Sequence, residues 1–253
     1  MHILESLFVA LSTYSQIPVP QFQWNERNMK YSICFFPAVG LFCGAALLLW
    51  NQLCLHFGVS AVLFAAAASC LPLLISGGIH MDGFMDTIDA LSSHQSKERK
   101  LEIMKDPNCG AFAVIYCGIY LFLQFGLFHE LYLKSAVDFY APVFILSRAL
   151  SAFCAVNLPN ARKNGMLCAV TQNTDRKKAS FASLLTAVFV CVLLLSISLK
   201  IGSCISVMAA ATVLMYQRLT MKEFGGVTGD TSGFFLQLCE LLCLFATLIG
   251  ACL

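Results

Sequence analysis

Hydrophobic and polar positions along this chain fall into long blocks, without the short periods of a soluble helix or strand. Apolar runs at about 33–50, 59–76, 110–128, 137–156, 181–199, 203–219 and 233–252 are separated by shorter polar stretches. Each is close to the length at which a helix crosses about 30 Å of hydrocarbon. Ahead of them, residues 3–14 (ILESLFVALSTY) are apolar but too short to cross, which predicts an interfacial or re-entrant helix. Ser15-Gln16-Ile17-Pro18-Val19-Pro20 ends it, because two prolines remove donors and fix φ. The expected fold is all-α: a polytopic integral membrane helical bundle of about seven transmembrane helices plus the short N-terminal one, forming a single domain over residues 1–253.

Composition supports that class. The chain is 58% hydrophobic and 12% charged, against roughly 25% charged in soluble domains, and its mean hydropathy is +0.76. A net charge of +2 without a long basic tract gives no footing for nucleic acid. The thirteen cysteines lie mostly singly inside apolar runs and form no CxxC, so they are read as small buried packers. No Lys/Arg cluster opens the chain, so a cleaved signal peptide is not expected.

Charge placement then orients the spans. Thirteen of the sixteen basic residues lie in the connections at about 17–32, 77–109, 157–180 and 218–232, and the opposite connections hold only Lys134 and Lys200. Seven alternating spans with the four basic connections facing the cytoplasm satisfy this bias, giving a multi-pass protein of the cell (inner) membrane. Lys97-Glu98-Arg99-Lys100 reads as a solvated face, and Arg176-Lys177-Lys178 as a topology signal touching anionic membrane lipid.

The chemistry concentrates in Gly77-Gly78-Ile79-His80-Met81-Asp82-Gly83-Phe84-Met85-Asp86-Thr87-Ile88-Asp89-Ala90-Leu91. On a helix, Asp82, Asp86 and Asp89 share one face over a row roughly 10 Å long. Clustered carboxylates repel and raise one another's pKa unless a cation sits among them. Oxygen-only ligands suit Mg²⁺, which prefers a few carboxylates plus substrate phosphate oxygens. Two further stretches fall on the same side. These are Lys105-Asp106-Pro107-Asn108-Cys109-Gly110 and Gly225-Gly226-Val227-Thr228-Gly229-Asp230-Thr231, the second a glycine-rich turn before an apolar helix, suited to cradling phosphate on backbone N–H groups. Arg148 and Glu240 lie inside apolar spans, where a charge is partnered by default. Arg148 fits either a phosphate site or an ion pair with Glu240. His80 fits a phosphate donor, a partner that orients a carboxylate, or an ordinary hydrogen-bonded histidine.

These blocks resemble a known family. GGIHMDGFMDTIDAL resembles the aspartate signature of cobalamin synthase, the adenosylcobinamide-GDP ribazoletransferase family. SQIPVP, EIMKDPNCGAF, Leu146-Ser147-Arg148-Ala149 and GGVTGDTSGFFLQLCE resemble further segments of it, in the same order along most of the chain. The resemblance implies an Mg²⁺-dependent membrane phosphotransferase acting late in cobalamin biosynthesis. It would transfer the cobinamide phosphate of adenosylcobinamide-GDP to α-ribazole or its 5′-phosphate and release GMP, with other cobalamin-assembly enzymes as possible neighbours. It also implies that Asp82, Asp86 and Asp89 hold the metal and diphosphate, with His80 beside them, and that Lys105, Asp106, Arg148, Gly225, Gly226, Thr228, Asp230 and Glu240 complete the pocket. Three positions depart from the family pattern: Asn108 replaces a basic residue, and Ala90 and Ala113 replace glycines. Two rival readings stay open. A CDP-alcohol phosphotransferase-like lipid enzyme also has acids around a D-G pair, but its D-G-x-x-A-R continuation is absent here. A cation transporter would place acids along an ion path.

Overall fold

A computed structural model describes residues 2–253, and among them there are helices and no strands. In chain order the helices are α1 (His2–Tyr14), α2 (Glu26–Met29), α3 (Phe36–Phe57), α4 (Ala61–Ser76), α5 (Ile79–Ser92), α6 (Lys97–Ile103), α7 (Ala111–Leu133), α8 (Val143–Asn157), α9 (Met166–Asn173), α10 (Arg176–Ile197), α11 (Leu199–Glu223) and α12 (Gly229–Cys252). Short 3₁₀ turns at Ser32–Phe35 and Val137–Phe139 lead into α3 and α8.

Six stretches are long and apolar enough to cross a membrane: Ser32–Phe57, Ala111–Leu133, Val137–Asn157, Arg176–Ile197, Leu199–Glu223 and Gly229–Cys252. The seventh expected span is α4, only 16 residues long, which meets α5 at 94°. Gly77 and Gly78 make that corner with φ of +64° and +79°, values that residues with a Cβ adopt only under strain. Several helices outrun their apolar runs. α10 starts at Arg176, where Asp175 caps it by accepting from Lys178 N–H, and α11 continues to Glu223. A helix satisfies its own backbone beyond the hydrocarbon, and its Lys and Arg reach toward water on long stems.

The four basic connections meet at one end of the bundle. Asp175 N–H donates to Lys30 O at 3.2 Å, Arg162 to Leu101 O at 3.1 Å, and Lys97 Nζ to Met221 O at 3.2 Å. At the other end, Asn51 donates to Asp138, Tyr132 to Val59 O, and Lys200 to Leu253 O. The charge bias therefore matches an actual segregation of loops. One detail of the sequence reading changes: Lys100 is not on a solvated face, since its buried side chain pairs with Glu223 and ties α6 to α11.

α8 runs through the middle, with Phe144, Leu146, Ala149 and Ala152 fully or nearly fully buried, whereas α7 and α10 turn Phe122, Phe181 and Phe189 outward. An apolar belt on outer helices and small or polar residues inside is how a bundle in lipid is organised, because lipid tails cover what water would not. The thirteen cysteines are all free thiols among the described residues.

Candidate active site

α5 does not run along the bundle. It lies across the end where the basic connections gather, turned 94° from α4 and fastened at both of its ends. Toward its start it passes so close to α12 that a Cβ added at Gly83 would stand 2.8 Å from Asp230 O, and one at Gly233 would stand 2.8 Å from His80 O. Toward its finish the Asp89 carboxylate accepts from Gly110 N–H at 2.6 Å and from Ala113 N–H at 2.8 Å. Those are free amides at the start of α7, and the negative charge also complements that helix dipole. The beam is thus pinned to the beginnings of α12 and α7.

This placement brings Asp82, Asp86 and Asp230 together. Asp82 is exposed, while Asp86 and Asp230 are half-buried. Arg162, from the connection after α8, donates to Asp230 Oδ2 at 2.9 Å. Asp86 is pushed up to about 7, chiefly by burial and then by the charges of Asp82, Asp230 and Asp89, against a smaller opposing effect of Arg162. The folded protein therefore keeps a proton on Asp86 that the unfolded chain loses above about pH 4, so this site's contribution to stability falls as pH rises toward about 7. In EDTA, the melting temperature should drop between about pH 5 and pH 8 by more in the wild type than in Asp86→Asn. Equal drops in the two proteins would show that Asp86 is not so crowded.

Beside the acids is a recess of about 300 Å³, with Ile33, Phe36, His80, Ser151 and Ala155 in its walls and Asp82 and Asp230 also lining it. The His80 ring packs 5.6 Å from Phe36, and its buried Nε2 has no hydrogen-bond partner.

Other expected site residues are placed differently. The aspartate row is not a ready three-ligand cage, since no group of three His, Cys, Asp or Glu side chains among the described residues stands close enough to hold an ion. Two causes are visible: residues seven apart on a helix are roughly 10 Å apart along its axis, and Asp89 is engaged in capping α7. Arg148 and Glu240 do not face the acids as phosphate ligands. Both are fully buried, with Arg148 donating to Glu240 Oε1 at 2.7 Å and to Phe144 O at 2.9 Å, and Ser147 Oγ donating to the same carboxylate oxygen at 2.9 Å. They are a structural pair joining α8 to α12.

Nor is the glycine-rich turn an open cradle. Gly226 N–H donates to Thr220 O, Val227 N–H to Pro159 O, and Thr228 N–H to Thr231 Oγ1, while the exposed Gly225 takes the turn at φ +75°. Thr228 is the N-cap of α12, accepting from Thr231 N–H at 3.1 Å. Gly229 and Asp230 keep the only first-turn amides without an acceptor one turn back. Lys105 and Asp106 are exposed on the loop before α7, where Asp106 accepts from both the backbone and side chain of Asn108. The departure at Asn108 is thus a self-contained turn.

Arg162 is the residue that sequence reasoning missed. It was counted only as loop charge, and its contact with Asp230 spans 68 positions. The pairing that carries it is the bridge between Asn160 and Val227, for which no local spacing is a signal.

Comparison with known proteins gives the chain its family. A profile of the cobalamin-5-phosphate synthase family matches residues 6–248. A Lachnoclostridium phytofermentans protein named adenosylcobinamide-GDP ribazoletransferase is 41% identical over 250 residues, covering 99% of this chain and 95% of its own. Proteins of the same name from Clostridium botulinum (strain Alaska E43) and Pseudomonas entomophila are each 34% identical, covering 97% of this chain and 97% and 98% of their own. No solved structure matches. With the aspartate helix, the capped α12 start and these full-length matches in hand, the chain belongs to the cobalamin-5-phosphate synthase family.

Proposed function

We propose that this protein transfers the cobinamide phosphate of adenosylcobinamide-GDP to α-ribazole or its 5′-phosphate, releasing GMP, at the end of the bundle that faces the cytoplasm. The observation that carries the proposal is the convergence of Asp82, Asp86, Asp230 and Arg162 where α5 crosses α12. The relatives' name supplies the substrates. The donors that meet there are carboxylate oxygens, with neither sulfur nor imidazole among them, which fits a hard divalent cation. Asp82 and Asp86, with Asp230 beside them, would hold Mg²⁺, whose charge would offset that of the substrate diphosphate.

The reaction forms a bond between a ribazole hydroxyl oxygen and the phosphorus attached to cobinamide. The phosphorus–oxygen bond to GMP breaks, the hydroxyl proton passes to a carboxylate of the cluster, and GMP departs with the bonding electron pair. Positioning and charge stabilisation account for the rate in such transfers. Arg162, whose guanidinium is held by Asp230 Oδ2 and Leu101 O, would set a fixed positive charge beside the diphosphate. The unpaired Gly229 and Asp230 amides point the positive end of α12 the same way. A transporter lacks this arrangement's rationale, because the acids sit on a helix across the bundle end and not along a path through it.

The test is product formation by detergent-purified protein given adenosylcobinamide-GDP, α-ribazole phosphate and Mg²⁺. A corrinoid phosphate ester and stoichiometric GMP are expected. Release of GMP without a ribazole-containing product would reduce the reading to a diphosphatase.

A further inference from the structure

We infer that the recess beside Asp82 is the seat of the acceptor's bicyclic base, so that ribazole enters base-first and presents its ribose to the acids. The inference rests on the proposed transfer for the identity of the acceptor. Size excludes the corrin, and the mostly apolar walls disfavour guanine, whose edges carry several hydrogen-bonding groups. A cavity of about 300 Å³ is at the small end of ligand pockets and suits a benzimidazole with part of its sugar, whereas a corrin carrying a nucleotide is several times larger. Lining chemistry agrees. Ile33 and Ala152 form deep, almost fully buried apolar surface, and Tyr14 and Phe36 form an aromatic corner with ring centroids 4.5 Å apart. A flat, uncharged bicycle gains most from such walls.

Polarity runs in the required direction. Among the lining residues Asp82 and Gly229 are exposed, whereas Ile33 and Ala152 are almost fully buried. A base seated inside therefore leaves its ribose at Asp82 and Asp230, where a hydroxyl must lose its proton. One polar group in the wall lacks a counterpart: His80 Nε2 is buried and unpartnered. A ribosylated benzimidazole carries one unsubstituted ring nitrogen, an acceptor for His80 in the tautomer that protonates Nε2. A buried donor left unpaired costs about 1–3 kcal/mol, so the pairing would favour a base with a ring nitrogen over a carbocyclic analogue of the same shape.

The decisive experiment titrates α-ribazole alone, without corrinoid or Mg²⁺, into the full-length protein in detergent. Ala155→Phe, which projects a ring into the recess, should weaken binding at least about tenfold, and should raise the KM for ribazole phosphate while leaving the KM for adenosylcobinamide-GDP within about twofold. Ala155→Val keeps the test available if the larger side chain prevents folding, with a smaller loss expected. His80→Phe should weaken ribazole more than a carbocyclic analogue. Unchanged ribazole affinity in a folded filled-recess variant overturns the assignment, even where turnover proves the transfer. Recess-dependent ribazole binding without any turnover sustains the assignment and refutes the transfer instead. No binding by the wild type overturns the assignment.

Discussion

Asp82→Asn should lower the transfer rate at least about a thousandfold, equivalent to about 4 kcal/mol of lost transition-state stabilisation. The substitution keeps size and removes charge at the one exposed carboxylate that both borders the recess and adjoins Asp86. Because no hydrogen bond among the described residues runs through the Asp82 carboxylate, melting should not fall, and relief of repulsion around Asp86 should raise it slightly. A steady-state assay at saturating substrates, run beside a thermal melt, checks both halves. Retention of more than about a tenth of the wild-type rate would remove Asp82 from the chemistry.

The second large effect is on stability. Arg148→Met should cost about 3–5 kcal/mol, because it strands the Glu240 carboxylate with no water to accept it. Glu240 already has one oxygen, Oε2, without a partner, so little reserve remains. Denaturation of the protein in detergent should show the loss as a lowered midpoint. Replacing both residues, with Arg148→Met and Glu240→Leu together, should restore most of it, since apolar pairs of similar volume often replace buried ion pairs without loss. The double variant should also retain its KM for adenosylcobinamide-GDP. A large rise in that KM in a stable double variant would return the pair to phosphate binding and contradict the structural role.

The two predictions mark what was and was not readable in the residues alone. Spans, their alternation and the gathering of basic connections follow from hydropathy and charge, both local properties, and the structure reproduces them. The corner that Gly77-Gly78 make after α4 was not foreseen, since in sequence the two glycines read only as the start of the aspartate stretch. Which aspartate does what was not readable. Asp82, Asp86 and Asp89 look equivalent by spacing, and only the approach of α7 diverts Asp89 into capping. Arg148 had two readings because a sequence states that a buried charge needs a partner but not which one. Arg162 and Lys100 were hidden for the same reason: each meets its acid across a contact between distant segments.

The beam formed by α5 has a consequence for how this catalyst can be dissected. The proposed reactants carry no acyl chain that would need a bilayer, so a soluble miniature carrying the aspartate helix looks attainable. Yet one mooring of that helix comes from the start of α7 and the other from the start of α12, near the end of the chain. An excised segment could carry the α7 mooring with it but not the α12 one. The bundle is therefore the jig in which the site is assembled, and even a chain shortened only by its last helix would lose Asp230 together with the α12 mooring and hold Asp82 and Asp86 from the α7 end alone.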